Sequence, residues 1–244
     1  MKKTLGAFFL GVAMISIAAP ALARDDDDLS ELRGTRRYSD WELIKSDSIR
    51  NIKTYAKQED GKRIRSFKIE AQFDASLETL ARVHFDVDNY KKWFYETRES
   101  RLLKKVSNTE FYYYCRYAAP ATLPDRDVIL HAVVEPYTAR RGYMGLRVSA
   151  VPDYLPETPG LVRMPAQEEY IKFTPQGPDK TLLEVEGYVD PGGAAPVWAI
   201  NFVQRRAPYS SMVGLNRMVQ SPLYRDANGP VPYTFTIGSY ANER

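Results

Sequence analysis

Between Ile64 and Phe73 apolar and polar residues alternate: Phe67, Ile69, Ala71 and Phe73 fall on one face, and Ser66, Lys68, Glu70 and Gln72 on the other. That period of two predicts a half-buried strand. A partner strand is expected over Ile49 to Tyr55, across a turn at Asp60-Gly61. From Ala75 to Asp86 the period changes. Leu77, Leu80, Ala81 and His84 or Phe85 recur at helical spacing, with Ser76 as the cap. Strands are then predicted over Arg101 to Val106, Glu110 to Tyr117, Asp127 to Glu135, Tyr143 to Val151, Glu168 to Phe173 and Thr181 to Val189. Turn chemistry separates them at Asn108, Pro120 and Pro124, Arg141-Gly142, Pro152 to Pro159, and Gln176-Gly177-Pro178. Pro196 to Val219 returns to the helical period, carrying Val197, Trp198, Phe202, Met212, Leu215 and Val219 on one face. Proline suits its first turn, and Pro208 predicts a kink or a restart. Ahead of all these, Asp40-Trp41-Glu42-Leu43-Ile44 reads as a short helix capped by Asp40, with Trp41 pinning it to the core.

The order strands, helix, antiparallel meander, long helix predicts an α+β fold in which a curved sheet carries one long helix across its mouth. Strand parity states what lies between the two layers. Phe111, Tyr113, Cys115 and Tyr117 should face inward, because the other set contains Arg116. By the same argument Val128, Leu130, Ala132 and Val134 oppose Asp127, His131 and Glu135. Met144, Leu146, Val148 and Ala150 oppose Arg147, and Leu183, Val185, Gly187 and Val189 oppose Glu184 and Glu186. The inward lining is almost wholly apolar, which fits a filled core as well as a greasy hollow.

The ends and the composition set the setting. Lys2 and Lys3, the apolar run Leu5 to Ala18 and the small residues of Ala21-Leu22-Ala23 form a secretory signal peptide over 1–23, with cleavage expected after Ala23. This predicts export to a periplasm, an acidic, disordered segment over 24–39 that includes Asp25 to Asp28, one domain over 40–220, and a tail over 221–244. Without Lys2 and Lys3 the chain carries 32 basic against 31 acidic residues. So balanced a surface argues against nucleic acid as a partner, since backbone binding needs a concentrated basic face. Cys115 is the single cysteine and so cannot form an internal disulfide; it reads as a small buried apolar residue rather than a nucleophile. His84 and His131 stand on different elements, with no converging cluster to hold a metal. The chain contains no Gly-x-Ser-x-Gly elbow and no glycine-rich phosphate loop, and no cofactor is expected.

Five stretches in this order and spacing resemble the START domains, the lipid-transfer modules related to the steroidogenic acute regulatory protein. They are Asp86-Val-Asp-Asn-Tyr-Lys-Lys-Trp93, Glu99-Ser-Arg-Leu-Leu-Lys-Lys-Val106, Pro124-Asp-Arg-Asp-Val128, Asp190-Pro-Gly-Gly with Pro196 after it, and Asn201 with its helix. The resemblance spans about Asp40 to Gln220.

The resemblance implies a helix-grip fold: an antiparallel sheet wrapped around a long C-terminal helix, an internal hydrophobic tunnel, and a gate made by that helix and its neighbouring loops. The implied function is non-catalytic binding and transfer of a lipid, sterol-like or fatty-acyl molecule, with transient membrane contact. The cavity residues expected on parity and resemblance together are Phe67, Trp93, Phe111, Tyr113, Cys115, Tyr117, Leu130, Ala132, Leu146, Val148, Val185, Trp198, Phe202 and Met212. Arg126 and Asp127 match the family's Arg-Asp signature and are read as a structural motif that fixes the turn into its strand. Some relatives place a charged pair inside the tunnel, whereas Tyr113 and Ala132, which align with it, cannot form one. Tyr113, Tyr117 or an inward Glu169 would then supply the polar contacts. An empty apolar void of about 500 Å³ would cost on the order of 12 kcal/mol, so such a tunnel must collapse, hydrate or hold ligand. The alternative function is an enzyme of the polyketide cyclase or dehydratase type, which needs a general acid or base in the same cavity.

Overall fold

The computed structural model describes residues 41–62 and 64–227. The expected signal peptide, the acidic segment, Asp40 and the tail beyond residue 227 lie outside the described residues. The strands are β1 (Glu42–Asp47), β2 (Ile52–Lys57), β3 (Ser66–Phe73), β4 (Thr97–Lys105), β5 (Glu110–Tyr117), β6 (Arg126–Glu135), β7 (Met144–Ala150), β8 (Val162–Arg163), β9 (Ala166–Pro175) and β10 (Thr181–Asp190). The helices are α1 (Leu77–Phe85), α2 (Val197–Val219) and α3 (Pro222–Arg225), with 3-10 turns at Val87–Lys92 and Pro152–Tyr154.

The strands form one sheet in the order β1-β2-β3-β10-β9-β7-β6-β5-β4, antiparallel at each of these neighbours. The register puts the inward sets of adjacent strands side by side: Phe67 pairs with Gly187, Gly187 with Glu169, Glu169 with Val148, and Val148 with Ala132. Parity therefore gives the concave face correctly in β3, β6, β7 and β10, and the register places Glu169 of β9, whose face the sequence pattern leaves open, on the same side. A Cβ on Gly187 would meet the Phe67 ring at 2.7 Å, so the missing side chain lets that ring cross β10.

Half of the concavity is solid. α1 starts at Ser76, whose Oγ accepts from the Thr79 amide at 3.2 Å, as expected of a serine cap. Its buried residues, Leu77, Leu80, Ala81, Val83 and Phe85, join Phe111, Tyr113, Cys115, Leu130, Ala132, Leu146 and Val148 in one apolar cluster. Phe85 meets Phe111 edge-on at 6.2 Å between ring centres.

Four expectations are corrected. Residues 42–44 open the edge strand β1 instead of a helix: Leu43 is 53% exposed, so no apolar helix face exists to be buried, and pairing with β2 satisfies the backbone. α2 runs unbroken through Pro208 and does not restart; packing over a full helix length outweighs the one hydrogen bond that proline removes. Asp127 is not in water. It is fully buried beneath the residue 152–163 crossover, where Arg163 donates to it through Nε and Nη2 at 3.0 Å each. This crossover adds the two-residue strand β8, which pairs parallel with β6. Finally, the fold continues past residue 220, since Tyr224 on α3 is buried and donates to Asp86 Oδ2 at 2.8 Å.

Candidate functional site

The other half of the concavity is hollow. A cavity of about 210 Å³ lies between the N-terminal half of α2 and the concave faces of β2, β3, β9 and β10. Ala199, Ile200, Val203, Ala207 and Pro208 roof it; Thr54, Ile69, Ile171 and Val185 are among its floor; Trp93, Phe94, Tyr117, Pro120, Leu123 and Arg126 are among those that close a side. It is partly open to solvent.

α2 is held over this hollow by its C-terminal part. The Ser211 Oγ accepts from the Tyr95 amide at 3.1 Å, Arg217 Nη2 donates to the Lys92 carbonyl at 2.6 Å, and Gln220 Nε2 donates to the Asp74 carbonyl at 3.2 Å. Tyr209 donates to Asp47 Oδ2 at 2.7 Å, and this bond, with Arg50 beside it, holds the Asp47 carboxyl well below its usual range. Nearer the N-terminal end, Gln204 Nε2 donates to the Arg65 carbonyl at 3.0 Å.

Of the residues expected at the cavity, Phe67, Trp93, Tyr117, Val185 and Met212 stand on its wall. Phe111, Tyr113, Cys115, Leu130, Ala132, Leu146 and Val148 face the same way but belong to the solid half, under α1. Trp198 and Phe202 point outward, 47% and 38% exposed, and the Arg206 guanidinium lies 4.2 Å above the Phe202 ring. The face of α2 that meets the hollow is the one offset from them, Ala199, Ile200 and Val203. Arg126 is on the wall and also braces its turn, donating from Nη1 to the Pro124 carbonyl at 2.6 Å; burial pushes its pKa down. Asp127 pairs with Arg163, not with Arg126.

A few polar groups interrupt the apolar lining. Glu169 faces inward and is half-buried at the wall of this partly open cavity, and burial, only partly offset by a hydrogen bond from Gln167, pushes its pKa up to about 7. Gln167 Nε2 donates to Glu169 Oε1 at 2.9 Å, while Gln167 Oε1 has no hydrogen-bond partner among the described residues. Tyr117 stands beside this pair, and burial holds its hydroxyl well above the ordinary phenol value. On the α1 side, burial pushes His84 down to about 4. Its Nδ1 and the Trp93 Nε1 are buried without partners among the described residues. Sequence reasoning missed Gln167 altogether, although it shares the inward parity of Glu169 and Ile171. Cys115 is enclosed, with burial pushing its thiol up to about 12, so it is no thiolate nucleophile. No metal-binding group of His, Cys, Asp and Glu occurs among the described residues, and no helix among them is long and apolar enough to cross a membrane.

No family model matches the chain. An uncharacterized protein of Pseudomonas aeruginosa is 26% identical over 215 residues, covering 88% of this chain and 96% of that one. Among solved structures, a STAR-related lipid transfer protein fragment from Xanthomonas axonopodis is 29% identical, with a TM-score of 0.68 over 74% of this chain and 99% of the other. Human STARD10 is 21% identical, with a TM-score of 0.65 over 93% and 89%. The chain has the START helix-grip fold: an α+β unit whose curved sheet grips the long C-terminal helix.

Proposed function

We propose that the protein is a non-catalytic carrier that takes one hydrophobic molecule into the cavity beneath α2 and shields it from water in a periplasm. The observation that carries this reading is the hollow itself. Left empty, an apolar void of this size costs on the order of 5 kcal/mol, comparable with the whole stability of a small domain. Surrounding side chains have not collapsed into it, and a greasy occupant is less costly there than vacuum or water. The likeness to lipid-transfer proteins supports the same reading. Entry and release are assigned to the N-terminal half of α2, which lies over the hollow while the C-terminal half stays tied to the Lys92–Tyr95 segment. The periplasmic address rests on residues 1–23, and protein recovered from that compartment should begin at Arg24.

The test is displacement of a neutral hydrophobic dye, N-phenyl-1-naphthylamine, from the protein by phospholipid, fatty acid and sterol. Val203→Trp, which fills the roof, should remove dye binding and leave the circular dichroism spectrum unchanged. Dye that does not bind wild-type protein, or binds the filled variant equally well, contradicts the carrier reading.

One observation favours a second reading. A carboxyl enclosed in a cavity with its pKa near 7 suits general acid–base work, as a cyclase-type enzyme requires. Turnover of a cyclisable substrate that disappears in Glu169→Gln would put this reading first.

A further inference from the structure

We propose that Glu169 and Gln167 form a polar subsite in the cavity wall that receives an uncharged hydroxyl on an otherwise apolar ligand, in preference to an anionic head group. The inference rests on the carrier reading above and names the ligand class for it.

The geometry is that of an incomplete hydrogen-bond network. Residues 167 and 169 are successive inward positions on β9, so both side chains leave the sheet on the same face, and both stand on the cavity wall. Gln167 is 3% exposed. It spends its amide nitrogen on Glu169 Oε1 at 2.9 Å and leaves its own carbonyl oxygen enclosed without a partner among the described residues. Buried acceptors are ordinarily satisfied, and an orphan costs the full desolvation of the group. A ligand donor beside Gln167 Oε1 removes that cost.

The second half of the match comes from Glu169. Burial keeps its carboxyl neutral up to about pH 7, so the acid carries a proton that it can donate. The two side chains together offer one acceptor and one donor, and a hydroxyl is the smallest group that answers both. A carboxylate or a doubly ionised phosphate supplies acceptors only and leaves the Gln167 oxygen unpaired, and bringing its charge into this largely apolar wall carries a desolvation cost that a hydroxyl avoids. Tyr117, the neighbouring phenol, is likewise held neutral by burial against a weaker opposing effect of the Gln167 side chain, and although the two groups are neighbours the Gln167 oxygen has no hydrogen bond among the described residues. Arg65, Arg126 and Arg205 are the cationic residues on the wall, and they are the elements that would favour an anion if the assignment were wrong.

The experiment is competition against bound N-phenyl-1-naphthylamine by four probes of equal chain length: dodecane, dodecanol, dodecanoate and dodecyl phosphate. A hydrogen bond completed at a buried orphan is worth roughly tenfold or more in affinity. Dodecanol should therefore displace the dye at about one tenth the concentration of dodecane or of either anion. Glu169→Leu and Gln167→Leu, which remove a buried polar group and retain an apolar wall, should bring dodecanol level with dodecane. Glu169→Gln, which keeps a donor at the same place, should restore part of the preference. Equal displacement by dodecane and dodecanol overturns the subsite and leaves the carrier intact. Tightest binding by dodecyl phosphate or dodecanoate also overturns it, and its loss in Arg65→Gln, Arg126→Gln or Arg205→Gln shows which guanidinium holds the head group. Failure of all four probes to displace the dye would strike the carrier reading itself.

Discussion

Gly214 of α2 lies against the backbone of Trp93: a Cβ built on the glycine would overlap the Trp93 carbonyl oxygen. A helix can come this close to a neighbouring backbone only where it lacks a side chain. The contact is rigid on both sides, so it sets how far the whole helix sits above the sheet. With the C-terminal half fixed there and the sheet curving away beneath, the N-terminal half is left standing over a gap. The cavity follows from that placement more than from any residue that lines it.

Gly214→Ala should therefore destabilise the protein by about 1–3 kcal/mol, the usual cost of overpacking, although alanine is the better helix former. Urea denaturation measures this. A variant as stable as wild type would show that α2 is free to ride outward at no cost.

Trp93 and Trp198 sit on opposite sides of the same argument. Trp93 is 4% exposed and Trp198 is 47% exposed. Trp93→Ala should cost about 3–5 kcal/mol, and Trp198→Ala should stay within about 0.5 kcal/mol of wild type. Thermal melts of the two variants side by side decide it.

The buried pair of Asp127 and Arg163 holds the residue 152–163 crossover to the sheet. Arg163 also donates to the carbonyls of Pro152, Leu155 and Pro156. Arg163→Met should cost about 3–5 kcal/mol by leaving a buried carboxylate unpaired. Adding Asp127→Leu should recover part of the loss, a coupling that a double-variant cycle in urea reads directly.

The sheet was legible because alternation is a local signal: from Phe111 to Tyr117 the inward set follows from Arg116 alone. Which inward residues meet the hollow was not legible. Phe111 and Phe67 carry the same parity signal, but α1 fills the space above the first and leaves the second open, and strand periodicity holds no record of where a distant helix lands. The same limit applies to α2. Its apolar stripe through Trp198 and Phe202 has helical spacing, yet those two rings face solvent, because the close approach at Gly214 fixes the rotation of the helix. Asp127 read as outward and therefore wet; its cover is a proline-rich crossover some 30 residues on, and a two-residue strand such as β8 leaves no periodic trace. Residues 42–44 are too few to separate a period of two from one of 3.6.

Two groups shifted by burial, Glu169 and His84, give stability opposite dependences on pH. Glu169 rises from 4.5 to about 7 on folding, so the folded state binds the extra proton, and this group's contribution is lost as pH climbs from 4.5 to 7. His84 falls from 6.5 to about 4, so the unfolded state binds the extra proton, and stability grows as pH climbs from 4 to 6.5. Each is worth about 3 kcal/mol across its window. Wild type should thus change little between pH 4.5 and 6.5 through these two groups. Glu169→Gln should gain stability over that range, and His84→Phe should lose it. Urea midpoints at pH 5 and pH 7 measure both slopes; identical slopes in the two variants would show that neither group is shifted as described.

The most direct measurement of the central claim is native mass spectrometry of the purified protein before and after solvent extraction. The account predicts an added mass in the first spectrum, one hydrophobic molecule per chain, that extraction removes and reincubation with lipid restores. A chain at its bare mass throughout, taking up no phospholipid, fatty acid, sterol or hopanoid, would contradict it.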